Sequence, residues 1–174
     1  MQVDSPTNSK VQFALKQLEF ARHYSTQLID SIEEEHWFCI PEGCVTHLAW
    51  QIGHLSMAQY MLTLFRVRGR QNDDEKFIPR KFLKKFLKGT EPDADQKSYP
   101  TAAEILEVFM KTHDRVITEL ATFSDEQLVE PVIMPYAVEP TQLGSILFCS
   151  HHEMLHAGQI GLLRRRLGYA PLNK

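Results

Sequence analysis

The chain lacks the features that mark several common protein classes. No stretch approaches the roughly 18 consecutive apolar residues that cross a bilayer, so no membrane association is expected. There is no C-x-x-C pair, and the three cysteines, Cys39, Cys44 and Cys149, make an odd number. Free thiols in a reducing cytoplasm fit that usage better than a disulfide framework. Charge of one sign is scarce too: a net −3 gives no basis for a nucleic-acid or acidic-surface partner. The polar segment Met1 to Lys10 carries no apolar run of a secretory leader. Strand-like alternation is missing, and the run Val132-Ile133-Met134 is short and bracketed by Pro131 and Pro135. What remains is a cytoplasmic, all-α protein, expected to form a single domain over residues 1–174.

Four long segments carry helical periodicity. The first runs from about Asn8 to Glu35, with Val11, Ala14, Leu15, Leu18, Ala21, Leu28, Ile29 and Ile32 on one face and Asn8 or Ser9 as its cap. The second, about Thr46 to Arg68 with Gly69 as its stop, has two apolar rows. Leu48, Ile52, Leu55 and Leu62 form one; His47, Trp50, His54, Met57, Met61 and Phe65 form the other. Two rows place that helix centrally. A polar loop follows, then a short amphipathic helix from Pro79 to Lys88, with Phe82, Leu83, Phe86 and Leu87 on one side. Its lysines, 81, 84, 85 and 88, suit a crossover helix in water better than a membrane anchor, because about ten residues is short for one. Thr101-Ala102-Ala103-Glu104 reads as a capping box opening the third long helix. Ser124 to Gln127 caps a single turn through Leu128. The fourth long helix runs from Thr141 to Leu167, with Gly168 as its stop. The expectation is a four-helix bundle with a long connection between helices two and three, which lets those two lie parallel.

The most informative segment lies in the fourth helix: His152-Glu153-Met154-Leu155-His156. Histidines four apart project from one helical face and can reach one ion. The H-E-x-x-H pattern invites a zinc-protease reading with Glu153 as general base. In zinc proteases a third ligand follows the motif, and the tail after His156 contains no His, Asp, Glu or Cys. A third ligand must therefore come from upstream. His54 lies in the inner row of the most apolar helix. Two inward histidine sites in one small bundle are costly unless they satisfy each other or share an ion. Three neutral imidazoles and one free position make a catalytic-type metal site, with zinc as the default and nickel, iron or manganese as alternatives.

Trp50-Gln51-Ile52-Gly53-His54-Leu55, taken with His152 to Ile160 and Leu162 to Gly168, resembles the DinB/YfiT-like metalloenzyme superfamily. The resemblance implies a four-helix bundle with a three-histidine site. One ligand comes from helix two and an H-x-x-x-H pair from helix four, which makes His54, His152 and His156 the ligands here. It also implies a homodimer and a small-molecule substrate. The chemistry implied is thiol S-transfer with a low-molecular-weight thiol (mycothiol, bacillithiol or glutathione), or metal-dependent hydrolysis or isomerisation. A non-catalytic bundle that binds a metal or a small molecule is the alternative.

Other candidates have blander readings beside the functional ones. Glu153 is a general base or a structural carboxylate orienting a neighbour. Cys149, on the row Cys149, His152, His156, Gln159 and Leu163, would close the site as a fourth ligand. His47 is a pocket candidate, whereas His151 points about 100° away from His152. His23, His36 and His113 read as surface or boundary residues. Trp50 and Met57 wall a pocket or pack in the core. Gln159 bonds within the site or caps the interface. Arg164, Arg165 and Arg166 serve the helix dipole or clamp an anion.

Overall fold

Ser9 opens the first helix by accepting a hydrogen bond from the Gln12 N–H at 3.2 Å. The Asp125 carboxylate reinforces that end, accepting from the N–H groups of Lys10 and Val11 at 2.9 Å each. An anion fits here because the first-turn N–H groups lack intrahelical partners. The computed structural model describes residues 9–172. Asn8 as an alternative cap, and the leader reading of residues 1–8, lie outside them. Helix α1 spans Lys10–Ile29. It ends six residues before the expected Glu35: Asp30 and Ser31 turn the chain so that Ile32, Trp37 and Phe38 bury against the bundle.

Helix α2 spans Leu48–Leu62 and buries every residue except Trp50 and Met61. His47 caps it, its Nδ1 accepting from the Trp50 N–H at 3.0 Å. The periodicity predicts one helix to Arg68, but the chain breaks at Thr63 (φ −116°, ψ −95°) before α3, Leu64–Arg68. The Thr63 hydroxyl donates to the Gln59 carbonyl at 2.6 Å, a local bond that competes with the helix ladder.

The connection carries α4, Arg80–Lys85, shorter than its pattern. Phe82 and Phe86 bury, while Leu87 stays exposed past the helix end. Buried Asp74 pins the connection to α2 and α3. It accepts from the Tyr60 hydroxyl at 2.8 Å and from both terminal nitrogens of Arg68 at 2.9 and 2.8 Å. Arg68 also pairs with Glu119 of α5, Ala102–Leu120. The Thr101–Glu104 capping box opens α5 as expected, and Thr141 caps α6, Gln142–Arg166. Among the described residues, bridge pairing outside the helices is limited to Pro131 with Thr141.

The four long helices form the bundle. Gln59 meets His113 and Arg68 meets Glu119, so α2 and α5 run parallel, as the long connection allows. Gln51 meets Gln159 and Leu62 meets Ser145, so α6 runs against α2. Gln17 meets Ser150 and Leu28 meets Arg164, so α1 and α6 are also parallel. The order is up, down, down, up. The core between them includes Leu18, Ile52, Leu55, Ile105, Phe109, Val116 and Ile160, all fully enclosed. Each such side chain contributes about 1.5–3 kcal/mol by leaving water.

His113, expected at the surface or the boundary, is buried on α5. Gln59 uses its Oε1 to accept from Arg22, so its amide nitrogen donates to His113 Nδ1 at 3.0 Å. That nitrogen must keep its lone pair, and His113 is therefore neutral. Burial first, and the Arg22 charge second, lower its pKa to about 3. The unfolded chain binds a proton near pH 6.5 that the folded one refuses. Stability from this group is complete above pH 6.5 and falls as pH drops toward 3. Urea denaturation between pH 6.5 and 4.5 should show a slope that His113→Gln reduces by about 1.4 kcal/mol per pH unit. An unchanged slope would place His113 in a solvated setting.

Candidate metal centre

The three histidines named from sequence meet in one place. His54 projects from the middle of α2, and His152 and His156 project from successive turns of α6. One candidate ligand atom from each lies within 4.8 Å of the others. The ring centroids of His54 stand 5.4 Å from His152 and 4.9 Å from His156. His54 is buried and the other two are half-buried, so the cluster sits at the edge of the core.

Hydrogen bonds on the far side of the rings orient two of them. The Nδ1–H of His54 donates to the Phe86 carbonyl at 2.9 Å. A carbonyl can only accept, so Nε2 of His54 keeps its lone pair for the cluster. Gly53 makes the contact possible, because a Cβ there would lie 2.4 Å from the Phe86 ring. Gln51, one turn before His54, holds His156. Its amide nitrogen donates to Gln159 at 3.0 Å and Thr46 at 3.2 Å. Its Oε1 is left to accept from His156 Nδ1–H. Again Nε2 is free. Such outer partners fix the tautomer and ring direction that a metal ligand requires.

Burial is the first cause that lowers all three pKa values. It brings His156 to about 3 and His152 to about 4, with neighbouring imidazoles adding to the effect. His54 moves in the same direction. All three are neutral at physiological pH, the state in which imidazole binds a cation. The donor set, three neutral imidazoles of which two have preset tautomers, fits one divalent ion of the zinc or nickel type.

Trp50 lies flat on His54, with centroids 4.7 Å apart and planes at 8°, and its indole N–H donates to Thr90 Oγ1 at 3.0 Å. It is a wall of the site. Met57 is buried in the core.

Glu153 is not beside the histidines. One residue past His152, it turns into the core, where only 1% of it is exposed. Arg22 Nε donates to its Oε1 at 2.9 Å and Nη2 to its Oε2 at 3.2 Å. Arg22 also donates to the Phe109 carbonyl at 2.6 Å and to Gln59 Oε1 at 2.8 Å. Its guanidinium covers the Phe109 ring at 3.3 Å. The structural reading of Glu153 therefore holds, and general-base use does not. Cys149 lies on the same inward side, fully enclosed: burial and then the Glu153 charge raise its thiol pKa. The row joining Cys149 to the histidines is thus split, and Cys149 is not in the cluster.

Other candidates also move. The His47 Nε2–H donates to the Asp93 carbonyl at 3.0 Å, and His47 is absent from the cluster. His151 is exposed. Arg164 is spent on the carbonyls of Ala170 and Leu28, at 2.6 and 3.0 Å, and is no anion clamp. A cleft of about 810 Å³ lies elsewhere, between α4 and α5; its rim includes Lys81, Lys84, Lys85 and Lys97, and none of the three histidines lines it. Sequence reasoning missed Arg22, although it falls one turn after Leu18 on the buried row. It quoted Gln51 without assigning it a role.

The family model described as the DinB superfamily matches residues 17–160. That span begins within α1 and includes all three histidines. No match is found among curated proteins.

Removing one partner of a buried ion pair strands the other charge, at about 3–5 kcal/mol. Glu153→Ala should lose that much in urea denaturation. A loss below about 1 kcal/mol would show that the Arg22 pair does not anchor the bundle.

Proposed function

Since the chain belongs to the DinB superfamily, we propose that His54, His152 and His156 hold one divalent ion, zinc by default, in a metal-dependent enzyme acting on a small molecule. Thiol S-transfer is the first reaction class and hydrolysis the second. The convergence of three neutral imidazoles with two preset tautomers carries this reading. The ion, when bound, supplies a Lewis-acid position that activates a thiolate or water as nucleophile. The chain's own residues do the rest. Phe86 and Gln51 aim the ligand nitrogens, and Trp50 excludes water from one side of His54. No cysteine or carboxylate joins the three histidines in this cluster. A position left open for a substrate is what a catalytic rather than a structural site needs.

A second reading is a bundle that binds metal and a small molecule without turnover. The commitment of Glu153 to Arg22 favours it, since that removes the obvious proton acceptor. S-transfer does not need that base, because a bound thiolate is already deprotonated. The reading extends to a homodimer in the cytoplasm. Phe13 and Phe20 on α1 and Leu155 and Leu162 on α6 are exposed at seven-residue spacing on neighbouring helices, an apolar face suited to a second copy.

Metal analysis of purified protein should give one ion per chain. His54→Ala should lower affinity more than about 100-fold, since changes behind the ligands alone cost 10–100-fold. Unaltered stoichiometric binding in that variant would remove His54 from the site. A thiol panel with an electrophilic acceptor then separates transfer from binding alone. Turnover lost with a chelator and restored by zinc supports the first reading, and binding without turnover supports the second. Sedimentation should give a dimer that Phe20→Glu with Leu155→Glu converts to a monomer; an unchanged dimer would move the interface elsewhere.

A further inference from the structure

Two loops meet beside the histidines. The first follows α4. Phe86 gives its carbonyl to His54, Thr90 accepts from Trp50, and Lys88 lies between them. The second precedes α6. Its Tyr136 ring stands 6.0 Å from Phe148, which stands 6.1 Å from His152. Arg66 of α3 holds that loop by donating to the Tyr136 carbonyl at 2.9 Å. The loops join through one bond: Lys88 Nζ donates to the Tyr136 hydroxyl at 2.6 Å. Lys88 and Tyr136 therefore join the loop that holds His54 to the loop that packs, through Phe148, toward His152.

Lys88 has no carboxylate. Among the described residues, the ion pairs do not include it. The one carboxylate next to a ligand, Glu153, is neutralised by Arg22 and points into the core. An ammonium held by a phenol beside a cation site, with no acid to balance it, attracts a second negative group.

We propose that Lys88 and Tyr136 form an anion-recognition pair, so that the ligand of this site carries two groups: one that reaches the ion and an acidic one, carboxylate or phosphate, that takes the Lys88 ammonium and the Tyr136 hydroxyl. This rests on the three-histidine metal reading and narrows its substrate class. Lys88 shifts its bond from Tyr136 to the acid, and the freed hydroxyl donates to the same oxygens. A charge-assisted pair of this kind is the stronger sort of hydrogen bond.

The test uses the cobalt(II)-loaded full chain and three thiols of similar size: 3-mercaptopropionate, 2-mercaptoethanol and cysteamine. The absorption band that forms when a thiolate joins cobalt reports binding without any turnover. The wild type should bind 3-mercaptopropionate about tenfold more tightly than 2-mercaptoethanol, with cysteamine weakest. Lys88→Met should erase that preference and leave 2-mercaptoethanol within about twofold, while Lys88→Arg should keep most of it. Tyr136→Phe should weaken only the carboxylate thiol, by about threefold. Lys88 is exposed, so these variants should fold, and unchanged cobalt spectra before thiol addition verify that. Equal affinity for the three thiols, or an equal loss for all three in Lys88→Met, would overturn the proposal. A protein that takes up no cobalt would instead overturn the metal reading, and the recognition pair with it.

Discussion

The buried pair of Arg22 and Glu153 is the constraint on which the rest of the structure depends. Four groups converge on one guanidinium: a carboxylate from α6, an amide oxygen from α2, a carbonyl from α5 and the Phe109 ring. Arg22 itself comes from α1, so the knot ties all four long helices at one level. A buried charge pair is weak evidence of net stability, because desolvation offsets most of the Coulomb gain. Its value lies in specificity. Any rotation or slide of α6 would strand one charge in the core. With Glu153 pinned toward α1, a helix turn of about 100° per residue leaves His152 facing α2, and His156 follows it one turn later. The rotation of α6 that this pair holds is the one that assembles the histidine cluster.

The long connection has a comparable role. It brings Phe86 over Gly53, where no side chain could fit between, and places a backbone carbonyl on the far nitrogen of His54. Gln51 does the same for His156 from within α2. The tautomers of His54 and His156 are thus set by a backbone group and an amide, neither of which changes charge with pH. Asp74, held by Tyr60 and Arg68, fixes the start of this connection. Stability of the loop and geometry of the site are one problem in this fold.

Much of this was legible in the sequence because helices advertise themselves by period and by caps. The boxes at Thr101 and Ser124, the stop at Gly168 and the four apolar patterns all have physical signatures at short range. The convergence of His54 with His152 and His156 could be argued because lone polar groups on apolar rows need partners. What short-range patterns do not carry is what sits across a helix interface. The break at Thr63, the end of α1 at Asp30 and the burial of His113 depend on neighbours distant in the chain. So does the division of labour within the H-E-x-x-H segment. Nothing local distinguishes a glutamate facing an ion from one facing Arg22, 131 residues away in the chain. Arg22 did leave a trace, as a charged residue on the buried row of α1.

In the proposed site the protein ligands of the ion are imidazole nitrogens alone, with Glu153 and Cys149 excluded. X-ray absorption spectroscopy of the zinc-loaded protein tests it most directly. Three imidazole scatterers at about 2.0–2.1 Å and one further light atom are expected. A sulfur shell near 2.3 Å, or fewer than three imidazoles, would contradict it.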